Sequence, residues 1–153
     1  MIRAVALACL CLVFGACSGE QSTESANAPA QRVVTFAPHL AEIMYFIGAG
    51  EQLVGVSAWS DFPREVLDLP QVGHAFTVDQ EQLSLLRPDL ILVWASGMPV
   101  HTVDDLRQRG YRVESITTRN LADVAAAMRR VGELTGHAAE GESAAARFES
   151  VFD

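Results

Sequence analysis

The side chains with the greatest chemical reach are four histidines, three cysteines and two tryptophans. His39, His74, His101 and His137 form no close-spaced pair, and none has a cysteine nearby. A structural zinc site needs such clustering, so no metal is expected. The motifs that carry common catalysis are absent: G-x-S-x-G, G-x-x-x-x-G-K, and G-x-G-x-x-G after the first strand. Asp61 and Asp79 are the best-placed carboxylates. Asp79 reads as a helix cap, and Asp61, beside Phe62-Pro63, as a turn residue. With no nucleophile–base pair, the pattern points to binding and not to an enzyme.

The candidate binding residues follow predicted strands. His39 comes after Pro38 at a helix start, where the dipole disfavours its cation. A neutral imidazole there could exchange a hydrogen bond with a ligand, or simply be a polar residue at a solvated helix end. Trp59 lies in SAWSDFP, and Trp94 leads into Ser96-Gly97. His74 and Phe76 precede a capped helix. Large aromatic groups with a few hydroxyls suit a flat, bulky organic ligand. The competing reading is that each aromatic only plugs the end of the core.

Alternating elements must position these residues. Val33 to Phe36 and Leu53 to Val56 read as strands. Between them Leu40, Ile43, Met44 and Ile47 recur at helical spacing, with Gly48 and Gly50 as stops. Residues 57–77 read as irregular. Asp79, with Gln82 three residues on, predicts a capping box for a helix through Leu86. Leu90 to Trp94 is apolar without alternation, so it belongs inside a parallel sheet, buried on both faces. A helix from Pro99 to Arg109, a strand from Tyr111 to Ile116 and a helix from Leu121 to Leu134 follow. Gly136 ends that helix, and a last helical segment runs from Ala138 to Phe152. The order predicts an α/β fold, a parallel sheet flanked by helices.

The first residues read as a leader. Arg3 is followed by an apolar run from Ala4 to Phe14, too short to span a bilayer. Gly15-Ala16-Cys17 then resembles a lipobox. Cleavage after residue 16 would leave Cys17 to be acylated, and several chains give stable anchoring where one does not. An ordinary secretory signal with a chance cysteine is the alternative. Either way Cys9 and Cys11 leave with the signal peptide (1–16), so no disulfide is expected. Residues 17–31 read as the lipidated cysteine and a flexible tether. The formal charge of −8 becomes −9 without Arg3, 10 basic against 19 acidic side chains. That balance argues against nucleic acid.

The succession RVVTFAPHLAEIMYFIGAG, LVGVSAWSDFP, LPQVG and LSLLRPDLILVW resembles the ABC-transporter periplasmic substrate-binding proteins for cobalamin, haem and ferric siderophores. It is most similar to the cobalamin-binding members. The resemblance implies the N-terminal lobe of a helical-backbone (class III) binding protein over 32–136, with the start of the interlobe helix over 137–153. It implies a periplasmic, membrane-anchored lipoprotein that delivers cobalamin or another corrinoid to an inner-membrane permease. No resident cofactor is implied. It places Trp59 on the corrin ring, Trp94 in the cleft, and Ala75 where cobalamin binders keep a further tryptophan, with Phe76 adjacent. Glu81 matches the glutamate presented to permease arginines, although the helix dipole alone favours a carboxylate there. With the second lobe absent, little high-affinity binding by this chain alone is expected. The alternatives are a haem or siderophore binder, with His39, His74 or a tyrosine on the haem iron, and a lipid-anchored interaction domain without a ligand.

Overall fold

The structure is a computed structural model and describes residues 28–152. The expected signal peptide, the lipidated Cys17 and most of the tether lie outside the described residues. The folded part begins before Arg32: Ala30 is buried and its N–H donates to the Leu134 carbonyl at 2.8 Å. The Asp89 carboxylate accepts from the backbone of Gln31 and Arg32.

In chain order the elements are β1 (Val33–Thr35), α1 (Pro38–Phe46), β2 (Leu53–Val56), β3 (Gly73–His74), β4 (Thr77–Val78), α2 (Gln80–Leu86), β5 (Leu90–Trp94), α3 (Val100–Gln108), β6 (Val113–Ile116), α4 (Leu121–Thr135) and α5 (Ala138–Glu149). Four strands form one parallel sheet in the order β2-β1-β5-β6. The apolar run of β5 therefore lies inside the sheet, as its lack of alternation predicts. Leu90 and Leu92 pack on one face with α1, α4 and α5, while Ile91 and Val93 pack on the other with α2 and α3. Each of the four is at most 1 % exposed, and burial of such a side chain stabilises by about 2 kcal/mol before the entropy of ordering is counted.

The stretch expected to be irregular holds more order than its composition suggests. Arg64–Asp68 is a 3-10 helix, and β3 pairs antiparallel with β4. The capping box on α2 is half formed. Asp79 accepts from the Gln82 N–H at 2.9 Å, but its own N–H donates to the Val72 carbonyl and so is not free for the Gln82 side chain.

The chain reverses between α4 and α5 at Gly136, whose φ of 80° is in the left-handed region. The two helices then pack closely. A Cβ on Gly132 would lie 2.7 Å from the His137 carbonyl oxygen, and one on Gly141 would lie 2.7 Å from the Met128 carbonyl oxygen. Arg129 holds the pair laterally, with Nε 2.7 Å from Glu142 and Nη2 2.9 Å from Glu149.

Candidate ligand-binding site

Parallel sheets present their ligands at the carboxyl ends of the strands. At that edge the structure divides the predicted residues into two groups. His39 and Trp94 belong to the first. Pro38, with φ set by its ring, starts α1 and places His39 one residue later. His39 Nε2 lies 3.1 Å from the Thr118 hydroxyl just beyond β6. Its ring meets Trp94 edge-on, with centroids 5.4 Å apart at 86°. Burial lowers the His39 pKa from its ordinary value, so the neutral ring is favoured. The helix start is thus half-buried and packed, not freely solvated.

Trp94 ends β5. Its Nε1 is buried and finds no hydrogen-bond partner among the described residues. A buried donor left so costs about 1–3 kcal/mol. Gly97 gives the indole room: a Cβ there would stand 2.2 Å from Trp94 Cε3. Gly97 thus supports Trp94, while Ser96 beside it is exposed.

His39 and Trp94 line a cavity of about 660 Å³, within the range of small-molecule sites. Its walls also include Ile43 and Phe46 from α1, Met128 from α4 and Phe148 from α5. Glu42 is the only carboxylate among the described lining residues. Sequence reasoning missed these wall residues. Thr118 and Phe62, which also face the cavity, follow β6 and β2, so the strand-end rule could have found both. Phe148 carries no local signal, because only the fold-back of α5 brings it to the sheet edge.

The second group is Trp59, His74 and Phe76. Ser60 donates to the Ser57 carbonyl at 3.3 Å, closing a turn around Ala58 and Trp59. The buried Ser57 and Ser60 hydroxyls meet at 3.2 Å beneath it. Trp59 has φ of 64°, a value that bulky side chains rarely adopt. Its side chain is nevertheless displayed, with 75 % of the residue exposed. The Ala58 N–H donates to the Gly73 carbonyl at 2.7 Å, tying the turn to β3. His74 then lies 5.6 Å from Trp59 between ring centroids, and Phe76 6.2 Å from His74. The three rings form a row on the β2 side of the edge, with Ala75 half-buried between the last two. None of the three lines the cavity. The strands that lead to Trp59 and Trp94 flank β1, so they are two strand spacings apart, about 10 Å.

Glu81 is exposed on α2 and makes no ion pair among the described residues. Among the described residues no group of three or more His, Cys, Asp and Glu is placed to hold a metal, and no helix is long and apolar enough to cross a membrane.

Residues 33–153 match a family model described as periplasmic binding protein. The chain is 37 % identical over 125 residues to the vitamin B12-binding protein of Pectobacterium carotovorum, covering 82 % of this chain and 45 % of that protein. It is 34 % identical to the crystal structure of the periplasmic vitamin B12 binding protein BtuF of Vibrio cholerae, with a TM-score of 0.76 over 81 % of this chain and 49 % of that one. A periplasmic heme binding protein from Pseudomonas aeruginosa is 26 % identical, with a TM-score of 0.73 over 79 % of this chain and 44 % of that one. The chain spans about half the length of the curated relatives it matches.

Proposed function

The chain belongs to the periplasmic binding protein family, and from that premise we propose that it holds cobalamin or a related corrinoid for an ABC importer. The observation that carries this reading is Trp59. An exposed indole in a left-handed backbone conformation costs stability and brings no core packing in return. A flat ligand stacked on it would supply the missing contact. The row continues through His74 and Phe76, and the apolar cavity under Trp94 lies along the same sheet edge. The likeness to vitamin B12-binding relatives supports the same choice of guest.

Charge supports a neutral guest. Glu42 opposes the propionates of haem and the anionic groups of siderophores, and no Lys or Arg lines the cavity among the described residues, where burial favours the neutral ring of His39. A corrinoid ringed by neutral amides meets no such opposition. A haem ligand is the second reading, favoured by the likeness to the Pseudomonas protein. In either case the protein acts by capture and release and not by catalysis. The function proposed for Glu81 is docking on permease arginines, and that for α5 is the start of the helix joining two lobes. Export to the periplasm and a lipid on Cys17 complete the reading.

Titration with cyanocobalamin, followed by NMR so that weak binding is visible, tests the proposal. Trp59→Ala should weaken binding about ten-fold, the upper part of the range for stacking on an exposed aromatic. Equal affinity for the variant and the parent chain would remove Trp59 from the site, and no shift changes with either would remove the corrinoid.

A further inference from the structure

His74 sits between Trp59 and Phe76 in the aromatic row, and its ring carries one more piece of information. The backbone N–H of Phe76 donates to His74 Nδ1 at 3.2 Å. A nitrogen that accepts a hydrogen bond bears no proton, so the proton of the neutral ring is on Nε2. Among the described residues Nε2 has no hydrogen-bond partner of its own.

We propose that His74 is a specificity-determining residue: its Nε2–H donates to a carbonyl oxygen of the guest, and the same tautomer closes the ring to iron. The donor role rests on the corrinoid reading, since the amide arms of a corrinoid carry such oxygens. The closure to iron rests on the hydrogen bond alone. A metal at Nε2 needs the lone pair there, and the proton would have to move to Nδ1. It would then point at the Phe76 N–H, setting two donors against each other. The two-residue turn of Ala75 and Phe76 that joins β3 to β4 would have to open to relieve them. His39 offers no ready substitute, because its Nε2 faces the Thr118 hydroxyl and its ring is packed on Trp94. The row therefore discriminates between two flat macrocycles of similar breadth by what their edges and centres ask of one imidazole.

Nitrogen-15 NMR of the full chain at about pH 8, above the ordinary imidazole range, reads the tautomer directly. The expected result is a bare Nδ1 and a protonated Nε2 for His74; the reverse would overturn the assignment. His74→Phe keeps a ring between Trp59 and Phe76 but removes the donor, and should weaken cyanocobalamin about five-fold, the worth of one neutral hydrogen bond. His74→Gln restores an N–H and should recover most of that loss. If Gln and Phe weaken binding equally, the donor role is wrong. Added haemin should give the same Soret band with the parent chain and with His74→Phe; a band that vanishes only in the variant would overturn the closure to iron. A chain that ignores cyanocobalamin yet shows the Nε2–H form would overturn the corrinoid reading and the donor role together. Uptake of cyanocobalamin with the proton on Nδ1 would overturn the tautomer while sparing that reading.

Discussion

Trp59 occupies backbone space that glycine enters more easily. The left-handed region costs a residue with a Cβ about 1–2 kcal/mol. Its φ of 64° combined with a displayed side chain makes the position, on the proposed function, a conflict between stability and binding. Trp59→Gly should raise the unfolding free energy by about 0.5 kcal/mol, since glycine returns part of the gain through the entropy of its unfolded state. Urea denaturation measures this, and a destabilised variant would show that the indole packs on the fold. His39 gives a pH signature. Burial holds its folded pKa below the unfolded value of 6.5, so on acidification the unfolded chain takes up the proton first. Its contribution is complete above about pH 6.5 and is lost as pH falls toward the folded pKa. In His39→Gln the decline of the melting temperature below pH 6.5 should be shallower; an unaltered decline would mean that other groups cause it. Both residues were legible in the sequence because each follows a strand. Their division into two groups was not, because strand order, and not residue type, sets which loops face the same space. The lipidation of Cys17 falls outside the described residues.

At the level of elements, periodicity worked where a repeat had room to show itself. The apolar spacing of α1 and the unbroken run of β5 both announce their partners. The two-residue strands β3 and β4 are too short to carry a period, and they are fixed by backbone bonds such as Asp79 N–H to the Val72 carbonyl. The same bond explains the half-formed capping box, whose second donor was already engaged by tertiary structure. The close approach of α4 and α5 is also invisible locally, because Gly132 and Gly141 look like weak helix residues until the helices are seen together. Gly132→Ala tests that contact. Alanine favours a helix interior by about 1 kcal/mol over glycine, yet its methyl would press on the His137 carbonyl at 2.7 Å. Backbone cannot rotate aside, and overpacking of about 1–3 kcal/mol should win, leaving the variant about 1 kcal/mol less stable in urea. A stabilised variant would show that the hairpin can part without loss.

Across the whole molecule, the sheet gathers residues from four separate strand ends to one rim, and the two-sided burial of β5 was enough to foresee that rim. The cavity wall was harder to foresee, since Phe148 lies far along the chain from His39 and meets it only through the α4–α5 reversal. On the proposed function, that reversal also bears on how a guest gets in. With two glycine backbones in direct contact and Arg129 bracing their flank, α5 has no slack with which to sag into the space beside it. On that reading α5 leaves its side of the hollow open before any visitor arrives and need not swing first. In stopped-flow mixing, the observed rate should climb in a straight line with cyanocobalamin concentration, whereas a plateau would betray a slow rearrangement that this braced hairpin forbids.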